Sequence, residues 1–322
     1  MTEPLPQGFT VRACLPSDRE SVMALAATCE TEEEGSPDPA MLDAISITWQ
    51  RSDFDGEHNA WLALNTESRQ VLGYAHLQPA ERPALQAFAT VHPEARGRGI
   101  GTALLERVER RANGQLAQFA PDERIVLQQW LTTGNQSGRR LLERSGYAAV
   151  RHNWSMIVEL AEEPVKVAWP HGITIRTAGN DDDLRATHAA YQDAFQDHWG
   201  YTEQSYEEYA RSMIDIDTFD PSLWFMAMDG NQVAGVALGE ILPDRGWVND
   251  LAVRRAWRGR GLGEALLRHT FGEFYRRGLR TVGLGVDSQN LTGATRLYER
   301  AGMRIEREYD IYEKVLRPAN PR

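Results

Sequence analysis

Cysteine is nearly absent from these 322 residues: Cys14 and Cys29 stand alone, too few for a disulfide framework and in keeping with a reducing cytosol. Lysine is scarcer still for its class. Lys166 and Lys314 are the only two among 35 basic residues, so arginine carries nearly all the positive charge, as in chains from GC-rich genomes. A formal net charge of −11 argues against general nucleic-acid binding, which depends on neutralising phosphates. The opening Met1-Thr2-Glu3-Pro4-Leu5-Pro6 lacks the basic and apolar regions of a signal peptide, and no apolar run is long enough to cross a bilayer. Neither a metal-ligand cluster nor a nucleophile triad is visible. What remains is a soluble cytoplasmic protein, 42% hydrophobic and 25% charged, without metal, nucleic-acid or membrane partners.

One phrase occurs twice. Arg96-Gly97-Arg98-Gly99-Ile100-Gly101 follows the strand-like run ending at Val91, and Arg258-Gly259-Arg260-Gly261-Leu262-Gly263 follows Leu251-Ala252-Val253. Each leads into an apolar helix, Ala103-Leu104-Leu105 or Ala265-Leu266-Leu267. A strand, a turn without side-chain bulk and a helix N-terminus present several unpaired N–H groups to one point, which suits a pyrophosphate. The repeat extends further. Val11 and Ile175 lie in matching short strands, and Gly146 and Gly302 close matching Leu/Tyr-Glu-Arg-Ser/Ala-Gly segments. Offsets near 160 residues indicate a duplicated domain, because solenoid repeats are much shorter.

The Pro-, Gly- and charge-rich segment 161–172 is the expected boundary, giving domains at 8–160 and 172–318. Helices are expected at 18–29, 181–197, after Gly263 and at 292–301. Strands are expected at 223–228, 232–241, 247–253, 281–286 and 304–315, with a hairpin turn at Asp229-Gly230-Asn231. Antiparallel strands followed by strand–helix–strand units predict two α+β domains, each a mostly antiparallel mixed sheet flanked by helices.

Leu251-Ala252-Val253, the turn 258–263, Asn290 and Tyr298-Glu299-Arg300-Ala301-Gly302 together resemble the GNAT acyltransferase family. The tandem arrangement is also similar to the mycothiol synthases, which acetylate the cysteinyl amine of a glycoside. The resemblance implies acetyl-CoA as acyl donor and a small-molecule amine as acceptor, with direct transfer in a monomer or homodimer. It implies a splayed strand at Leu251, Ala252 and Val253 pairing with pantetheine, and a pyrophosphate on Arg258, Gly259, Arg260, Gly261, Leu262 and Gly263. Val91, Arg96, Gly97, Arg98, Gly99, Ile100, Gly101 and Asn135 would form a second such site. Asn290 would touch pantetheine or cap its helix.

Tyr298 is the residue the resemblance places near the thioester sulfur, where a phenol can protonate the leaving thiol. Aligning the halves puts Leu142 in its place, so the C-terminal domain is expected to be catalytic and the N-terminal one not. Glu240 is the first candidate base, ahead of Asp250 and Asp287. Strand alternation sets Trp247 and Asn249 on one face and Asp250 on the other; mycothiol synthases carry Glu where Trp247 stands. Tyr191, Phe195 and Trp199 are expected to pack in the core, with His198 beside Trp199 as the functional pair, and Glu32-Glu33-Glu34 to form an exposed loop. A non-catalytic CoA-binding sensor is the reading from a different class.

Overall fold

The computed structural model describes residues 8–79, 83–165, 168–290 and 293–319. It divides the chain into two units. Unit 1 holds Met1–His152 with Tyr309–Arg322, and unit 2 holds Asn153–Glu308. These are not the consecutive spans 8–160 and 172–318. Each unit takes the final strand from the other half of the sequence, and hydrophobic alternation alone carries no information about which sheet such a strand will join.

Unit 1 runs β1 (Phe9–Ala13), α1 (Arg19–Glu34), α2 (Pro39–Gln50), α3 (Gly56–Asn59), β2 (Ala60–Asn65), β3 (Val71–Leu77), β4 (Ala84–Val91), α4 (Ile100–Gly114), β5 (Ile125–Thr132) and α5 (Gln136–Arg144). Next come β6 (Ala148–Glu159), β7 (Ile173–Thr177), α6 (Asp181–Phe195), α7 (Tyr206–Met213), β8 (Trp224–Asp229), β9 (Gln232–Ile241), β10 (Gly246–Val253), α8 (Leu262–Arg276), β11 (Thr281–Asp287), α9 (Ala294–Arg300) and β12 (Arg304–Arg317). The strands expected in the second half are present to within two residues. The expected helix at 292–301 begins at Ala294, with Thr292 outside the described residues.

In unit 1, β1 to β4 pair antiparallel in sequence order, β4 pairs parallel with β5, and residues 309–317 of β12 pair antiparallel with β5. Unit 2 repeats this with β7 to β10, the parallel pair β10–β11, and residues 153–159 of β6 antiparallel to β11. The incoming strands are anchored by polar groups as well as by the ladder. Glu313, buried on β12, accepts hydrogen bonds from Gln128 at 2.7 Å and Arg124 at 3.0 Å. The hydrophobic turns of α4 and α8 cover one face of each sheet. Leu104 and Val108 pack with Leu77 and Leu127 in one unit, and Leu267 and Phe271 with Val282 and Leu284 in the other. That packing fixes where each helix N-terminus, and hence each glycine turn, meets its sheet.

Candidate active site

The parallel strand pair in each unit comes apart. β10 and β11 are in register only from Gly246↔Val282 to Val248↔Leu284, and β4 and β5 only from Ala84↔Val126 to Ala87↔Gln129. Beyond those points the strands diverge and leave an edge of unpaired backbone. The glycine turn closes the wide end of the wedge. Gly259 and Gly261 adopt φ of 75° and 81°, and Gly97 and Gly99 the same two values. L-residues adopt this region rarely. A Cβ on Gly97, Gly259 or Gly261 would point into open space beside the helix N-terminus, where a phosphate would otherwise sit.

A cavity of about 550 Å³ follows in unit 2, lined by Leu251, Ala252, Val253, Arg258, Gly259, Gly261, Leu262, Gly263, Asn290 and Tyr298. Its counterpart in unit 1, also about 550 Å³, is lined by Val91, Arg96, Gly97, Gly99, Gly101, Asn135 and Leu142. Free main-chain amides at a helix start and an unpaired strand edge fit the diphosphate and the amide-bearing arm of coenzyme A. Ile100 is buried in the core beneath its turn, while Arg98 and Arg260 are exposed and line neither cavity.

Arg258 and Arg96 line their cavities and also brace the strand ends. Arg258 donates to the Val253 carbonyl at 3.0 Å and the Ala194 carbonyl at 2.7 Å, and pairs with Asp197. Arg96 donates to the Val91 carbonyl at 3.2 Å and pairs with Glu32 and Glu33. Each guanidinium fastens the strand end to the unit's first helix or the segment that follows it. Glu32, Glu33 and Glu34 are accordingly the last residues of α1, not an exposed loop. Glu33 also accepts from Thr132 and Asn135. Asn135 caps α5 by accepting from the Gly138 N–H at 2.8 Å. Asn290 does not cap α9, whose N-cap is Gly293; its own N–H bonds to the Asp287 carbonyl at the cavity wall.

Tyr298 lies on α9, its ring buried with Leu284 and Val286, and it lines the cavity. Burial, with the nearby Asp250 carboxylate adding to it, holds its phenol well above the ordinary range, so it stays protonated at neutral pH. Asp250 lines the same cavity, and burial pushes its carboxyl up to about 7. A β-bulge brings it there. The β9–β10 register jumps between Val248 and Asp250, leaving Asn249 as the extra residue. The simple alternation expected for 247–250 therefore fails.

Glu240 is not part of this cavity. It faces Trp247 across the ladder, where β10 is still paired with β11, and accepts a hydrogen bond from Thr218 at 3.1 Å. The Trp247 indole lies over Gly283, where a Cβ would come within 2.5 Å of it. Sequence alone ranks Asp250 behind Glu240, since the bulge that brings Asp250 forward exists only relative to a partner strand. The available signal was an aspartate inside an apolar run. Phe195 and His198 complete the wall, their rings 4.2 Å apart, and Tyr191 stacks on Phe195 at 4.5 Å. Trp199 is exposed rather than buried. Asp287 also lines the cavity.

The sequence profile of the Acetyltransferase (GNAT) family matches residues 185–303, and that of the Acetyltransferase (GNAT) domain matches residues 56–149. A mycothiol acetyltransferase of Thermomonospora curvata is 32% identical over 242 residues, spanning 74% of this chain and 77% of the relative. The chain belongs to the GNAT acetyltransferase family. A GCN5-related N-acetyltransferase from Sphaerobacter thermophilus superposes with a TM-score of 0.84 at 33% identity, over 99% of both chains. A tandem GNAT protein from the clavulanic acid biosynthesis pathway shares the fold, at a TM-score of 0.68 and 16% identity over 97% of this chain and all of that one. As a tandem GNAT protein this chain is an acyltransferase, an acetyl-CoA-dependent N-acetyltransferase. No described helix is long and apolar enough to cross a membrane, and no metal-ligand group occurs among the described residues.

Proposed function

We propose that unit 2 acetylates the amine of a small molecule, with Asp250 as base and Tyr298 as acid. The observation that carries this reading is that both side chains line one cavity with the glycine cradle. Gly259, Gly261 and Gly263 would hold the diphosphate of acetyl-CoA, and the free edge of Leu251, Ala252 and Val253 its pantetheine arm. When bound, acetyl-CoA supplies a thioester carbonyl as electrophile. An acceptor amine arrives as its ammonium ion, attracted by Asp250, which takes one proton and leaves a lone pair free to attack. A carboxyl near 7 suits that exchange at neutral pH. Tyr298 donates its O–H proton to the departing sulfur and recovers one from the acetylated nitrogen, which sheds its second proton as the amide forms; the raised pKa keeps the phenol protonated before and after the step.

In unit 1 Leu142 occupies the position of Tyr298, and Phe88 occupies the ladder position of Asp250, opposite His76 as Asp250 is opposite Leu238. We therefore assign unit 1 ligand binding without turnover. Cytoplasmic residence belongs to the same proposal, in keeping with two buried, unpaired cysteines. The mycothiol acetyltransferase relatives support a small amine acceptor, and a cysteinyl glycoside is the narrower candidate. Release of free thiol from acetyl-CoA across an amine panel that includes this glycoside tests the reading. Turnover that Asp250→Asn and Tyr298→Phe each remove, with acetyl-CoA binding intact, supports it. Saturable binding with no thiol release from any amine would replace it with the sensor.

A further inference from the structure

We infer that Tyr209 positions Asp250, its hydroxyl serving as the hydrogen-bond donor to the ionised carboxylate. This rests on Asp250 as the base. Tyr209 is the one buried residue of α7, a helix fixed by the reciprocal Ser205–Glu208 capping box. Its ring is 1% exposed and packs against His188 at 4.9 Å, Tyr191 at 5.7 Å and Trp224 at 6.0 Å. It shares a core cluster with Leu238 and Ala252. Leu238 sits directly opposite Asp250 in the ladder and Ala252 two residues beyond it, so Tyr209 packs on the sheet face from which Asp250 projects.

The Tyr209 hydroxyl is buried without a hydrogen-bond partner. No hydrogen bond to the Asp250 carboxylate occurs among the described residues either, and the two groups are close enough for Asp250 to oppose ionisation of the phenol. Buried hydroxyls are ordinarily paired, and phenylalanine would fill this apolar site equally well. The partner is the adjacent carboxylate once it carries charge. Swinging toward Tyr209, Asp250 gains a donor that holds it in one orientation facing the cavity. The other titratable and charged groups lining the cavity are Tyr298 and Arg300 from α9, His198 from the segment after α6, Asp287 from β11, Arg258 from the glycine turn and Glu264 from α8, with Tyr191 of α6 packed beside Tyr209.

The test is a carbon-13 carboxyl titration of the full ligand-free chain, with Asp250→Asn identifying the resonance. Wild type should titrate somewhat below the value of about 7 that burial alone sets. Tyr209→Phe should move the midpoint up by roughly one pH unit, the loss of one donor to the charged form, and shift the acid limb of kcat/KM equally. Replacing Tyr209 with 3-fluorotyrosine, nearly the same size but a stronger donor, should move both downward and serves if the phenylalanine variant folds poorly. An Asp250 midpoint unmoved by either change overturns the inference. Full turnover in Asp250→Asn would remove the base reading alone, because the titration would still report on the Tyr209–Asp250 bond.

Discussion

The two units share a cradle and differ in what surrounds it. Gly97 and Gly99 repeat the backbone angles of Gly259 and Gly261, both parallel pairs splay after three or four residue pairs, and both cavities measure about 550 Å³. An arginine ties the strand end in each, through the carbonyl of Val91 or Val253. β3 and β4 pair without a register shift, however, whereas β10 bulges at Asn249. In unit 1 the ladder position of Asp250 holds Phe88, stacked on the buried His76 at 5.8 Å, and Leu142 fills the place of Tyr298. Binding a diphosphate depends on backbone that many sequences can form, but proton transfer needs particular side chains. The first can therefore outlast the second.

The comparison breaks most visibly at the glycines. Gly261→Val forces a β-branched residue to a φ of 81° with its side chain in the cradle, and should abolish turnover. Gly99→Val should leave the rate intact and remove one of two acetyl-CoA binding events in calorimetry; unchanged stoichiometry would show that unit 1 holds none. Next come Asp250→Asn and Tyr298→Phe, each expected to lower kcat by about 10²-fold with little change in acetyl-CoA affinity. Leu142→Tyr should give unit 1 no activity in a chain carrying Asp250→Asn, since Phe88 offers no base.

pH sharpens the contrast. The rate should fall as pH drops below about 7, when Asp250 takes up its proton. Folding raises that carboxyl from its usual ~3.9, so the folded state holds the proton more tightly than the unfolded chain. Stability is then lost as pH rises from about 4 through about 7. Asp250→Asn should be more stable than wild type at pH 8, by up to about 4 kcal/mol for a shift of roughly three pH units, with little difference at pH 4. Smallest of all is Glu240→Gln, whose site lies outside the cavity; kcat should stay within about twofold. A larger loss would restore Glu240 as a participant.

The cradle was legible in the sequence because its requirement is local: a positive φ calls for glycine wherever the chain folds. Tyr298 and its replacement by Leu142 were legible by aligning two similar segments. The bulge was not, since an extra residue is extra only relative to the strand beside it. The bracing role of Arg96 and Arg258 is hidden for the same reason. Their carbonyl partners stand five residues away in sequence, at Val91 and Val253, and only the turn brings them within reach. The exchange of final strands escaped as well, because β6 and β12 are both long, alternating strands that either sheet could accept.

That exchange sets a timetable for synthesis. Unit 1 needs residues 309–317 beside β5, so the portion made first cannot close its sheet until synthesis has passed through all of unit 2 and reached residue 317. Severing the chain in the 161–172 segment would leave each fragment holding the other's last strand. Recovery of a working protein would then require both pieces in the same tube.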